Sequence, residues 1–286
     1  MSYHILTDSC CDLPPELLAK MNVTIAPLTL LFRGESRDDA HDETLPALYA
    51  ALRKGEAAST SAVNPSRWEK TMEPFLAQGE DLLVLAFSSG LSTTFQSASI
   101  AAEELRQLYP QRQICVVDTL SASLGQGLLV WYACQKQAEG LSLGELTAWC
   151  EENKGHLCHW FTVDDLMYLK RGGRIGAGTA LLGTMLGIKP VLHMDDAGHL
   201  VNVSKARGRK AAVEALAQKL TELGAGFDNS TVFISHGDCP EDAAYLARRL
   251  REQCGVERAV IGYVGAVIGS HSGPGTLALF FLGKHR

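Results

Sequence analysis

The eight cysteines of this chain form no CxxC pair, so neither a zinc ribbon nor a dithiol redox motif is written in it. Most of them sit inside apolar segments and read as reduced, buried thiols, which places the protein in the cytoplasm. No GxxxxGK[ST] phosphate loop occurs, and a common nucleotide cradle is thereby excluded. GxSxG occurs once, as GLSLG at 140–144, but it joins two helical stretches and follows no strand, so the nucleophile elbow of the α/β-hydrolases is not written there. No apolar run reaches the roughly 18 residues that a membrane helix needs. The opening MSYHILTDSC has no basic segment followed by an apolar one, and no secretory signal is expected. A basic surplus is also lacking. Against 26 Lys and Arg stand 32 Asp and Glu, a formal net charge of -6. Phosphate contacts need a basic surface, so nucleic acid is not an expected partner.

What is present is ordinary for a globular protein with large cores. The chain has 286 residues, 46% hydrophobic and 20% charged. That length suggests about two domains. YHILT (3–7) reads as a strand leading into DSCCDLPP and a helix opened by Pro14 and Pro15. VTIAPLTLLF (23–32) is β-rich, with Pro27 marking an edge or bulge. Helices follow over ETLPALYAALRKG, closed by Gly55, and over NPSRWEKTMEPFLAQG, where Pro74 is expected to shorten the element. Then strands at 81–87 and 112–118 alternate with helices at 92–109, 122–140 and 142–153. That rhythm predicts a mostly parallel sheet covered on both faces.

A second α/β unit is expected after a boundary near 155–160, giving domains 1–157 and 158–286. HWFTV is a strand, DDLMYLKRGG a short helix, and GTALLGTMLG (178–187) another helix. KPVLHMDDAGHLVNVSK reads as a hairpin turning at DDAG. Helix 207–223, strand TVFISH, helix 240–254 and strand RAVIGYV repeat the α/β pattern.

Ligands of open α/β sheets sit beyond the carboxyl ends of the strands. The segments there are DSCCD, SSGLSTT, DTLSAS, SHGD and GSHSGPG, joined by STSAVNP at 59–65. They are rich in hydroxyls. Each alone reads as helix capping; together they read equally well as one polar site. Its hydroxyls, glycine amides and histidines are donors for an anion. A helix start after SSG adds a favourable dipole. The site is neutral in character and suits a carboxylate better than a polyphosphate. His271 is read in a glycine-rich loop between two buried strands.

Other chemistries remain in view. Ser89 or Ser92 with His271 and Asp8 spells a serine hydrolase or acyltransferase. HLCHW (156–160) offers metal-ligand types without zinc spacing. LGQG (124–127) is a fragment of a dinucleotide fingerprint and reads as helix packing. For the vicinal pair Cys10–Cys11, one thiol is expected in the core and the other capping its loop. LKRGGRIGAG and KARGRK could join Arg171, Arg174, Arg207 and Arg209 into a docking face or a solvated one.

The motifs TDSCCDLP, TSAVNPS, SSGLSTTFQSA, VDTLSASLGQG, FTVDDLMYLKRGGRI, GIKPVLHMDDAG and IGSHSGPGTLALFF resemble, in order, those of the DegV family. They cover essentially the whole chain. The resemblance implies a two-domain α/β fold with a long-chain fatty acid held between the domains, and no cofactor. It implies a carrier without a catalytic centre, the fatty acid kinase B component. Such a carrier presents the ligand's carboxylate to a separate ATP-dependent kinase subunit, which makes an acyl-phosphate for phospholipid synthesis. The implied carboxylate ligands are Thr60 or Ser61, Ser92, and His271, with Ser89 beside them. Arg174 and Arg207 match positions implicated in docking the kinase. Two positions depart from the family. Thr93 stands where glycine is usual, and Ala62 where glutamine is common.

A fatty acid suits such a site physically. Each buried methylene is worth about 0.8 kcal/mol, so a long tail contributes on the order of ten kcal/mol before ordering costs. The tail then supplies affinity and the hydroxyls supply orientation. Another lipophilic carboxylate, a retinoid or a bile-acid-like molecule, would satisfy the same chemistry.

Overall fold

The computed structural model describes residues 2–39, 44–176 and 187–286. The helix expected over 178–187 lies outside the described residues, save for Gly187. Four strands, β1 (Tyr3–Asp8), β2 (Val23–Ala26), β6 (Asp81–Ala86) and β7 (Ile114–Asp118), form a wholly parallel sheet in the order β2-β1-β6-β7. Every residue of β6 is buried, as a central parallel strand covered on both faces requires. Helices α3 (Pro65–Ala77) and α4 (Thr94–Leu108) cover one face, where Trp68, Met72 and Ala98 pack on Leu6 and Val84. The other face receives α5 (Leu124–Ala138) and α6 (Leu143–Asn153). Helix α3 runs on through Pro74 to Ala77. Pro74 falls in the last turn, where its missing N–H forfeits a single bond of the ladder.

The second sheet is larger and mixed. Its order is β10-β9-β8-β13-β11-β12, from β8 (Leu157–Thr162), β9 (Ile188–Met194), β10 (Leu200–Arg207), β11 (Thr231–His236), β12 (Arg258–Tyr263) and β13 (Leu277–Leu282). Only β11 and β12 pair in parallel. Strand alternation divides its side chains cleanly. Phe161, Leu192, Phe233, Ala278 and Phe280 face the first sheet. Trp160, Val191, Ile234, Leu279 and Phe281 face outward, under α8 (Arg209–Leu223) and α9 (Pro240–Cys254). Helix α5 therefore lies between the two sheets and is apolar almost all round in its first half. Gly125 and Gly127 permit this closeness. A Cβ at 125 would overlap the His159 ring, and one at 127 would stand 2.6 Å from the Cys11 carbonyl oxygen. LGQG is thus helix packing.

A small antiparallel sheet, β4-β3-β5, completes the fold: β3 (Thr29–Phe32), β4 (Glu35–Asp38) and β5 (Ala58–Ser61). Pro27 splits the long β-rich segment, sending β2 and β3 to different sheets. Strands β4 and β5, ESRD and ASTS, carry no apolar alternation and gave no strand signal. Helix α2 (Leu45–Arg53) packs on this sheet through Leu48, Tyr49 and Leu52. Short helices α1 (Pro15–Leu18), α7 (Met167–Arg171) and α10 (Ala266–Ser272) occupy the connections. The cysteines are all free. Cys10 and Cys11 are both buried, in separate cores on opposite faces of the first sheet. The Leu13 amide donates to the Cys11 sulfur within the loop, and burial still pushes both thiols well above the ordinary range.

Candidate ligand-binding site

A cavity of about 470 Å³ lies between the carboxyl edge of the first sheet and the inner face of the second. Phe87 and Ser89 reach it from the loop after β6, and Ala122 and Ser123 from the segment before α5. Phe161, Ala278 and Phe280 form its floor on the second sheet; the hairpin adds Met194 and Leu200. The hairpin is held there by its turn. The Ser88 hydroxyl donates to the Gly198 carbonyl at 2.9 Å, and a Cβ at Gly90 would stand 2.6 Å from that same oxygen.

One end is polar. Thr60 Oγ1 lies 2.7 Å from His271 Nε2, and both line the cavity. Neighbouring residues of a strand point to opposite faces. Thr60 therefore faces inward from β5, and Ser61 is exposed and outside the cavity wall. His271 is not in a loop. The run AVIGSHS is helix α10, and the imidazole projects from its last turn. A core strand does follow, as β13. A Cβ at Gly172 would overlap the His271 ring, so this glycine lets α7 close against it. Burial, aided by the Arg174 guanidinium, pushes the imidazole down to about 4. It is neutral at neutral pH, with one N–H and one lone pair.

Ser92, Thr93 and Ser89 also line the cavity. Ser92 Oγ shares a hydrogen bond with Thr94 Oγ1 at 2.9 Å and accepts the Thr94 amide at 3.3 Å. Helix α4 starts here, bringing the positive end of its dipole. Thr93 has φ -81, so its backbone does not need glycine. Ala62 lines the wall with a methyl group.

The site is not neutral in character. Arg174 is half-buried in the cavity wall, donating from Nε to the Leu91 carbonyl at 3.2 Å and from Nη1 to the Gly172 carbonyl. Burial lowers its pKa. The run LKRGGRI looked like a surface, and glycines beside a charge run gave no cue that one arginine turns inward. Arg207 is exposed. Arg171 is exposed and lies over the Tyr168 ring at 4.6 Å. Arg209 pairs with Asp242 at 2.8 Å and Asp164 at 3.6 Å.

The groups of a hydrolase triad are engaged elsewhere. His271 Nε2 meets Thr60. Asp8 accepts the amides of Cys10 at 3.1 Å and Phe87 at 2.7 Å. Burial pushes this carboxyl up to about 7. Nor does HLCHW gather a metal site. His156 Nδ1 bonds the Gly283 carbonyl at 2.9 Å, and Cys158 donates to the His285 carbonyl. His159 Nδ1 bonds the Leu157 carbonyl at 2.9 Å, and burial drives its ring down to about 3. Among the described residues, no three His, Cys, Asp or Glu side chains are placed to hold a metal. The segments DTLSAS, SHGD and GSHSGPG, read together as one polar site, contribute Ser123, Ser235 and Ser272 to the cavity wall, though the sequence singles out none of the three. Ser123 adopts φ 55, which residues other than glycine seldom do.

The model of the DegV family, described as uncharacterised proteins, matches residues 2–284. The chain belongs to the DegV family. A DegV domain-containing protein of Clostridium perfringens is 47% identical over 281 residues, 98% of this chain and 97% of its own. One from Lactococcus lactis is 35% identical over 287 residues, 99% of each chain. Among solved structures, a DegV family protein of Thermus thermophilus, described by its fatty acid binding, superposes with a TM-score of 0.89. It is 33% identical, over 99% of this chain and 100% of its own. A stearic acid-binding protein of Eubacterium ventriosum gives 0.88 at 26% identity, over 99% and 98%. The mixed α/β architecture here is that of the DegV structures.

Proposed function

We propose that this protein is a cytoplasmic carrier of long-chain fatty acids and a non-catalytic partner of an ATP-dependent fatty acid kinase. The observation that carries the reading is one cavity with two characters. Its floor and hairpin wall are apolar, while Thr60, His271, Ser92 and Arg174 gather at one end. The DegV relatives from Thermus thermophilus and Eubacterium ventriosum, described as binding fatty acids, support it.

In this reading the tail lies between the units 1–157 and 158–286, and its burial supplies most of the affinity. Thr60, Ser92 and His271 orient the carboxylate, with Ser89 beside them. Arg174 keeps the carboxylate ionised, since an adjacent cation favours the charged form. The kinase transfers the γ-phosphoryl group of ATP to a carboxylate oxygen, giving acyl-phosphate and ADP for phospholipid synthesis. Arg207, exposed on β10, docks the kinase together with the Arg174 region.

Reconstitution tests this. Fatty-acid-loaded protein with an active kinase subunit and ATP is expected to yield acyl-phosphate. Arg207→Ala is expected to keep its lipid and lower the yield about ten-fold, the equivalent of one lost interfacial charge contact. No product with a kinase that accepts another carrier would contradict the proposal.

A further inference from the structure

A cavity that receives a plain hydrocarbon tail needs apolar walls beyond its headgroup end. Here Ser123, Ser235, Ser272 and Thr276 also line it. Thr276 is satisfied, its Oγ1 donating to the Gly273 carbonyl at 2.8 Å. Ser123 and Ser235 are linked at 3.0 Å, and Ser123 also meets the Asp12 carboxylate. A carboxylate only accepts, so Ser123 donates to Asp12 and Ser235 donates to Ser123. The Ser235 oxygen retains lone pairs and has no second proton to give.

Ser272 decides the matter. It is 5% exposed, yet its Oγ has no hydrogen-bond partner among the described residues. Ser270, in the same helix, shows the ordinary outcome. Its hydroxyl donates to the Ala266 carbonyl, four residues back, at 2.7 Å. Ser272 makes no such bond and borders the cavity instead. A saturated tail laid against it would leave a buried hydroxyl unpaired, which is costly.

Placement narrows the ligand. Ser272 directly follows His271, so their Cα atoms are about 3.8 Å apart. Ser235 precedes Gly237 by two residues, and a Cβ at 237 would stand 2.8 Å from the Gly273 carbonyl oxygen. The two serines thus sit on chain segments that meet near the Thr60–His271 end. A ligand hydroxyl there would donate to Ser235 and accept from Ser272. A ketone could only accept.

We propose that the cavity selects acyl chains bearing a hydroxyl within a few carbons of the carboxylate, with Ser272 and Ser235 as the selecting residues. This rests on the fatty-acid reading above. The test offers the full-length protein an equimolar mixture of hexadecanoic and 3-hydroxyhexadecanoic acids and counts the two complexes by native mass spectrometry. The 3-hydroxy acid is expected to prevail by roughly five- to ten-fold, the effect of one net buried hydrogen bond. In Ser272→Ala the ratio falls to about one, and the plain acid binds at least as well as before, since no hydroxyl is stranded. Ser235→Ala leaves α10 untouched, lowers the ratio in the same direction and guards against a folding defect in the first variant. 16-Hydroxyhexadecanoic acid, with its hydroxyl at the far end, is expected to gain nothing. Equal gain from it overturns the placement. Equal binding of the plain and 3-hydroxy acids to the wild type overturns the selection and leaves the carrier reading standing. Equal weakening of both by Ser272→Ala makes Ser272 a carboxylate ligand and overturns it too. If neither acid binds, the carrier reading itself fails.

Discussion

His271 shows how much one side chain's surroundings decide. Burial and Arg174 hold it near 4, so it meets a ligand as a neutral imidazole bonded to Thr60. A carboxylate arriving beside it favours the protonated form. The NMR titration midpoint of His271 is therefore expected near 4 in the empty protein and higher in the fatty-acid complex. Binding then takes up part of a proton, so affinity rises as pH falls toward that midpoint. An unchanged midpoint on loading would separate the carboxylate from His271. The types of residue at this end were legible in the sequence, because hydroxyls and a histidine recur after strands. Their directions were not. Thr60 and Ser61 are chemically alike, and only the pairing of β5 with β3 shows which one faces inward. Arg174 turned inward for a reason no local pattern carries: one of the two carbonyls that hold it, that of Leu91, comes from a distant segment of the chain.

Among the elements, long periodic ones were readable and short ones were not. The parallel strands and helices of the first sheet follow the alternation of apolar runs. Helix α10 was mistaken for a strand and loop because AVIGSHS is too short to show a helical period. The small sheet was missed because ESRD and ASTS are polar and gain their strand character from pairing with β3 alone. Helix α5 packs between the two sheets in the core they share, and its close approach rests on Gly125. Gly125→Ala would drive a methyl group into His159 and Phe280. Overpacking of this kind costs about 1–3 kcal/mol. The midpoint of urea unfolding is expected to drop accordingly, with the slope unchanged. A wild-type midpoint would mean that α5 and the second sheet are packed less tightly than the geometry requires.

The whole molecule is held across its two sheets by polar ties as well as by α5. Arg286 is nearly fully buried and donates to carbonyls of Thr119, Leu120 and Lys154. Ser88 fixes the hairpin turn at Gly198. These ties join the two sheets that enclose the cavity, and the central claim is that a long apolar chain lies there with its carboxylate at the Thr60–His271 end. Native mass spectrometry of protein purified from a bacterial host, repeated after denaturation, tests that claim most directly. The account predicts an added mass equal to a long-chain fatty acid in the native spectrum, lost on denaturation. Protein that carries no lipid, and binds no fatty acid offered to it, would contradict the account.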